Sequence, residues 1–81
     1  MTKIIIGDKI VFYKITSHAK GYKSGKSVYI DKAFDEKDKY DVYRASISKY
    51  DKWELGNGWN LYKNLDLKTA IKAAKNALKY L

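Results

Sequence analysis

The spacing of apolar and polar residues changes along the chain, from a strand-like period to a helical one near residue 66. From Lys3 to about Thr16, β-branched and aromatic residues dominate, and Gly7-Asp8 is the only turn signal among them. This pattern predicts a short strand, a turn and a longer strand. The next segment, HAKGYKSGKS (residues 18–27), has two glycines and no apolar periodicity, which predicts a loop.

Strand periodicity returns from Ser27 to Phe34, where Val28 and Ile30 should face one way and Tyr29 the other. The charged run DEKDK at residues 35–39 predicts a turn after this strand.

The stretch from Tyr40 to Ser48 alternates in the same way and predicts another strand. Because successive side chains of a strand point to opposite faces, the pattern separates two sets of residues. We expect an inner face of Tyr43, Ala45 and Ile47, and a solvated outer face of Val42, Arg44, Ser46 and Ser48.

The sequence WELGNGWNL at residues 53–61 is typical of a β-hairpin. A two-residue turn would place the two tryptophans on opposite faces of the sheet. A three-residue loop, Gly56 to Gly58, instead pairs Leu55 with Trp59 and Trp53 with Leu61. We therefore predict the three-residue loop, since it puts all four apolar side chains on one face.

From Leu67 to Leu81 the apolar residues recur at offsets of three and four, which predicts an amphipathic helix. Asp66 is the expected N-cap, and Leu65 and Ala70 are placed to form a hydrophobic staple. The whole chain, residues 1–81, is thus expected to be a single basic α+β domain. Its predicted architecture has two layers: an antiparallel sheet of about four to six strands, with one C-terminal helix packed on one face.

Composition narrows the chemistry that the chain can support. The sequence has no cysteine and one histidine, His18, so a disulfide framework and a cysteine-based zinc site are excluded. We expect no metal and no cofactor. The first 15 residues are too charged for a signal peptide or a membrane span, and we expect a cytoplasmic protein that does not associate with membranes.

The formal net charge of +8 is distributed unevenly. Residues 1–26 hold six lysines and one aspartate, and residues 55–81 hold five lysines and one aspartate. Residues 27–54 hold six basic and seven acidic residues and are nearly neutral. If the two ends of the chain meet in space, this segregation produces a basic face.

The end of the predicted loop, Gly25-Lys26-Ser27, matches the end of a nucleotide-hydrolase phosphate loop. That motif needs four residues between its glycines, a strand before it and a helix after it. Here three residues separate Gly21 from Gly25, and strand-like residues follow, so the segment does not match the nucleotide-binding motif.

The segment remains a basic loop without acidic residues, in which Lys20, Lys23 and Lys26 can contact phosphates and Tyr22 can contact a base or sugar. Arg44 is a further candidate for base or sugar contact. The alternative is an ordinary solvated loop.

The predicted helix carries a row of lysines at offsets of four, three and four. Like charges at these spacings destabilise a helix by about 0.2 to 0.5 kcal/mol per pair, and no glutamate relieves them. Such a row favours an anionic partner, although it can also serve only as a solubilising face. Its members are Lys68, Lys72, Lys75 and Lys79.

No set of residues has the spacing of a catalytic site, so we expect a protein that is not an enzyme. The leading hypothesis is a small nucleic-acid-binding module, for DNA or RNA, that contacts the phosphate backbone through the basic loop and the lysine row.

The alternative hypothesis is a small inhibitor or adaptor, of the kind found among mobile-element or phage accessory proteins. It would bind a protein partner such as a nucleic-acid-processing enzyme, through aromatic residues if these are exposed. An apolar edge strand within Lys3 to Thr16 could also pair two copies into a homodimer.

Overall fold

The computed structural model describes residues 2–81, which form six β-strands followed by one α-helix. The predicted change from strand to helical periodicity is therefore confirmed, as is the two-layer α+β architecture. The elements are β1 (Thr2–Ile6), β2 (Lys9–Ala19), β3 (Tyr22–Lys32), β4 (Tyr40–Lys49), β5 (Trp53–Leu55), β6 (Trp59–Leu65) and α1 (Leu67–Lys79).

The six strands form one antiparallel sheet. Strands β1 to β4 follow each other in chain order, and the far edge of β4 is shared by β5 and β6. Among the described residues, β1 pairs only with β2, so its other side is a free edge of the sheet.

One face of the sheet is covered by α1, which packs through the apolar stripe that its sequence predicted. Its buried residues are Ala70, Ala74 and Leu78, and the alanines allow the helix to lie close to the strands. This helix-side core also contains the buried strand residues Phe12, Val28, Ile30 and Val42.

The opposite face carries a second apolar cluster, centred on Val11, Tyr29 and Ile47. The sheet curls around this cluster. Tyr13 of β2 and Trp53 of β5 lie three strands apart in the sheet order, yet their ring centroids are 4.7 Å apart. No helix covers this face, and the curvature of the sheet itself brings its apolar side chains together.

The prediction of a loop at residues 18–27 is wrong. Strand β2 continues to Ala19, a two-residue turn at Lys20-Gly21 follows, and β3 begins at Tyr22. Gly21 adopts a φ of +71°, which glycine accommodates without strain and which a tight turn requires. Backbone pairing does not need apolar side chains, so the polar segment extends the sheet, and the Gly-Lys-Ser sequence lies inside β3.

The predicted hairpin at residues 53–61 is also wrong. β5 and β6 do not pair with each other, because both pair with β4 and run one after the other along its edge. The segment Gly56 to Gly58 interrupts this edge. A Cβ atom at Gly58 would lie 2.1 Å from the Tyr29 hydroxyl oxygen, so a side chain there would force the Tyr29 ring to move.

This arrangement separates the four apolar residues that we expected on one face. Trp53 and Leu55 pack against the curled cluster, and Leu61 packs against the helix-side core. Trp59 packs into neither core, and its side chain is 73% exposed.

The alternation in β4 is as predicted, and its assignment to an inner and an outer face fails only at Val42. Val42 is buried beneath the helix, whereas Tyr43, Ala45 and Ile47 belong to the curled cluster on the other face. Arg44, Ser46 and Ser48 share the helix-side face with Val42, because side chains alternate along a strand. They lie farther along β4 than the helix reaches.

The start of the helix confirms the predicted cap. The Asp66 carboxylate accepts a hydrogen bond of 2.8 Å from the Thr69 amide, and Leu65 and Ala70 both contribute to the helix-side core. In the described part of the chain, the helix is neither long nor apolar enough to cross a membrane.

Candidate functional site

The helix covers only part of the sheet face on which it packs. Its 13 residues span about 20 Å, whereas the 11 residues of β3 span about 36 Å. Beyond the last turn of α1, this face is open. We call this region the open half-face; its side chains are Tyr22, Ser24 and Lys26 of β3 and Arg44, Ser46 and Ser48 of β4.

The open half-face forms a shallow depression of about 500 Å³, bordered by Leu81 at the end of the helix and by Trp59 at the start of β6. Its floor carries the hydroxyl groups of Ser24, Ser46 and Ser48. Among the residues that the structure describes, no aspartate or glutamate side chain lines the depression. The nearest acid by strand register is Glu54, which lies opposite Ser48 on β5.

Two cations of this depression have no partner in the described part of the chain. Within residues 2–81, the side chains of Lys26 and Arg44 make no ion pair and no hydrogen bond, and both residues are exposed. Lys14 lies directly opposite Lys26 on β2, a like-charge pair that disfavours the sheet. The Lys14 ammonium donates to a main-chain oxygen of Leu81 at the border of the depression.

Two aromatic side chains also line the depression. Trp59 lies opposite Arg44 in the register of β4 and β6 and is 73% exposed, and Tyr22 is 43% exposed. An exposed tryptophan leaves a large apolar area in contact with water, which costs free energy unless a ligand covers it. The open half-face thus combines positive charge, hydroxyl groups and aromatic rings.

The tip of the β2–β3 hairpin forms a second depression next to the first. Lys20 and Lys23 line it together with His18, Lys49 and Tyr50. Tyr22 lines both depressions and therefore connects them. Lys23 lies opposite both His18 and Lys49, so positive charge is concentrated at this tip as well.

The lysine row lies on a different surface. All four lysines are exposed on α1. The Lys75 ammonium lies 5.7 Å from the centroid of the Phe12 ring, and the Lys79 ammonium lies 5.9 Å from that of Tyr80. The structure therefore places the candidate residues in three groups: Tyr22, Lys26 and Arg44 in the open half-face, Lys20 and Lys23 at the hairpin tip, and Lys68, Lys72, Lys75 and Lys79 on the helix.

Sequence reasoning did not identify Trp59, Lys14 or the three serines as parts of one surface. The predicted hairpin places Trp59 on an apolar face with Trp53, and as an exposed ring Trp59 is a candidate only for contact with a protein partner. Ser46 and Ser48 are recognisable in the sequence only as polar positions of an alternating strand, and Ser24 falls in the predicted loop. Their convergence depends on the register of β3 against β4.

Acidic residues concentrate at the opposite end of the molecule. Seven of the nine acids lie at the end where the helix begins, in or beside the β1–β2 turn, the β3–β4 loop and the segment before α1. The chain is elongated, with extents of 42 × 24 × 18 Å, so this end is well separated from the hairpin tip. The seven acids are Asp8, Asp31, Asp35, Glu36, Asp38, Asp41 and Asp66.

A polar cluster at that acidic end has a structural explanation. Asp41 is only 3% exposed, and its carboxylate accepts hydrogen bonds from the Asn64 amide at 2.9 Å and, at 3.4 Å, from the Tyr43 hydroxyl. Burial, followed by the charge of Asp41, raises the pKa of Tyr43. Burial, followed by the charge of Asp31, raises the pKa of Tyr29, whose ring stacks on that of Tyr43 at 5.1 Å. The cluster fixes the start of β4 against β6 and keeps both tyrosines neutral.

Across residues 2–81, no group of three or more histidine or acidic side chains is placed to hold a metal ion. Comparisons of the chain with protein-family models, with curated proteins and with solved structures find no match.

Proposed function

We propose that the protein is a non-enzymatic nucleic-acid-binding module whose primary contact with the phosphate backbone is the open half-face. The observation that carries this proposal is the pair of cations, Lys26 and Arg44, which have no partner within residues 2–81 and lie in a depression lined with hydroxyl groups and free of acidic side chains. Phosphate oxygens accept hydrogen bonds from lysine, arginine and serine side chains, so these residue types match a nucleic-acid backbone.

The two other basic groups extend this surface. Lys20 and Lys23 at the hairpin tip extend the positive potential beyond Tyr22. The lysine row adds positive charge on the helix α1. The acidic end of the molecule repels a polyanion, so the charge distribution also orients the ligand.

Salt-dependent binding tests the proposal. If about five cations each neutralise one phosphate, the logarithm of affinity should fall against the logarithm of salt with a slope near −4 to −5 on duplex DNA and near −3.5 on a single strand. Fluorescence anisotropy of labelled DNA and RNA oligonucleotides at about 50 and 200 mM salt measures this slope.

A matched pair of variants locates the contact. Lys26→Gln with Arg44→Gln should weaken binding and reduce the slope by about one to two, because two phosphate contacts are lost. The control, Lys32→Gln with Lys37→Gln, removes the same charge from exposed positions at the acidic end. Equal losses of affinity in the two variants would show that only the net charge matters and would refute an interface on the open half-face.

The second candidate function, a small inhibitor or adaptor that binds a protein, is supported by a different surface. A groove between β6 and α1 is lined mainly by apolar atoms of Tyr62, Leu65 and Ala73, with Lys72 at its border. Tyr62 is 47% exposed there. If the protein is such an inhibitor or adaptor, a photoreactive residue at position 62 should crosslink to one protein in a cell extract at moderate salt. The same photoreactive residue at the exposed position of Phe34 should not crosslink to that protein. Oligonucleotides should not bind to the folded chain.

A further inference from the structure

We propose that the ligand of the open half-face is a single-stranded nucleic acid whose bases stack on Trp59, Tyr22 and Tyr50. This inference rests on the proposed function and adds the class of nucleic acid to it. The three exposed rings follow one path, from the start of β6 across the open half-face to the hairpin tip.

The path is continuous because Tyr22 belongs to both depressions. Trp59 and Tyr22 line the first, and Tyr22 and Tyr50 line the second. The Tyr50 ring also lies close to the turn, since a Cβ atom at Gly21 would be 3.8 Å from its Cε2 atom.

Basic side chains alternate with these rings. Arg44 lies opposite Trp59, and Lys26 follows Tyr22 along β3 on the same face. Lys20 and Lys23 line the depression at the tip together with Tyr50. Alternating cations and aromatic rings are the pattern by which proteins hold a single strand, with the cations on the phosphates and the rings on the bases.

A duplex does not fit this pattern as well. In a duplex the base faces are stacked on one another and are not available to protein rings, whereas a single strand can splay its bases onto them. The depression is concave and has a volume of about 500 Å³. That volume lies in the range of sites that enclose small ligands, about 300 to 1,000 Å³, so it suits one or two nucleotides at a time.

The test uses Trp59 as the reporter. Trp53→Phe removes the other tryptophan, which is half-buried against Tyr13, and leaves Trp59 as the only indole. We would titrate this variant with three probes of about ten residues each: oligo-dT, an abasic strand with the same phosphodiester backbone, and a duplex. Oligo-dT should quench the Trp59 fluorescence and bind about 5-fold to 100-fold more tightly than the abasic strand, because only oligo-dT has bases to stack.

Substitution of the ring provides the second readout. Trp59→Ala in the wild-type background should abolish most of the preference for oligo-dT over the abasic strand, and Trp59→Phe should restore part of it. Phe34→Ala is the control, since Phe34 is 96% exposed but lies at the acidic end. It should leave both affinities unchanged.

The outcomes separate this inference from the proposed function. Equal binding of oligo-dT and the abasic strand, with no effect of Trp59→Ala, would overturn base stacking but leave backbone binding intact. Tighter binding of the duplex than of oligo-dT would also overturn it. Failure of all three probes to bind at low salt would overturn both proposals.

Discussion

At the residue scale, Gly25 shows how a single position governs the geometry of the site. It lies in β3 opposite Ile15, where the register of β2 shifts through a bulge. A Cβ atom at Gly25 would lie 2.0 Å from the Lys14 carbonyl oxygen and 2.8 Å from the Ile15 Cα atom. These are backbone atoms that no side-chain rotation can move, so the two strands approach this closely only with glycine.

We therefore expect Gly25→Ala to lower the free energy of unfolding by about 1 to 3 kcal/mol, the usual cost of overpacking. Urea denaturation followed by circular dichroism measures the change. Ser24→Ala, at the neighbouring half-buried position, is the control and should change stability by less than about 0.5 kcal/mol. An equal effect of the two substitutions would contradict the close approach of β2 and β3.

The cap at Asp66 predicts a pH dependence. The hydrogen bond from Thr69 lowers the pKa of Asp66, so the folded protein favours the charged carboxylate. The stabilisation should be fully present above the ordinary pKa of the side chain and should disappear as the pH falls through the lowered value. Asp66→Ala should accordingly lower the melting temperature at neutral pH and have little effect near pH 2. Asp66→Asn, which keeps an acceptor without the charge, should remove the pH dependence of this cap; an unchanged pH dependence in Asp66→Asn would contradict the assignment.

At the element scale, the helix was predictable and the last two strands were not. The helix follows from local signals: an apolar stripe at offsets of three and four and a capping aspartate at its start. The positions of β5 and β6 depend on which edge of β4 remains free, a non-local property that the sequence does not encode as a short pattern. The two glycines of GNG resemble those of a hairpin turn. In the structure they instead allow the backbone to lie close to the side chains of Tyr29 and Ser46.

The lysine row makes a prediction about both stability and binding. Lys68 is disfavoured by the helix dipole and repelled by Lys72, so Lys68→Gln with Lys72→Gln should raise the free energy of unfolding by about 0.5 to 1 kcal/mol. If the row contacts phosphates, the same variant should bind oligonucleotides more weakly and with a smaller salt slope. Chemical denaturation and anisotropy measure the two effects. A more stable variant with unchanged binding would identify the row as a solubilising face.

At the scale of the whole molecule, the two sheet edges differ in how they are protected. The β5–β6 edge is interrupted at Gly56 to Gly58, and β6 has bulges against β4. Strand β1 pairs with β2 without a bulge and leaves a regular, isoleucine-rich edge free. Unprotected edges of this kind pair with other strands, so we expect two copies to associate antiparallel along β1.

Ile5 is 62% exposed on that edge, so Ile5→Lys should add charge without disturbing the core. Sedimentation equilibrium over a concentration series should give twice the chain mass for the wild type and one chain mass for Ile5→Lys. Phe34→Lys, the same change at a loop position away from the edge, should remain dimeric. A wild type that stays monomeric at every concentration would contradict the pairing.

The uneven charge along the sequence predicted a basic face, and the fold confirms that the two ends of the chain meet. Lys14 of β2 contacts Leu81, and Lys75 of the helix lies over Phe12 of β2. The sequence could not locate the open half-face, because that surface exists only where a short helix ends over longer strands. Its members come from β3, β4 and β6 and are brought together by register.

The most direct test of the account is a map of the binding surface on the folded protein. Two-dimensional amide NMR spectra of the labelled protein, recorded during titration with a single-stranded oligonucleotide, report which residues sense the ligand. We predict that the largest shifts fall on Ser24 to Lys26, Arg44 to Ser48 and the Trp59 indole, with small shifts at the acidic end. Shifts confined to the groove between β6 and α1, or no shifts at low salt, would contradict a nucleic-acid interface on the open half-face.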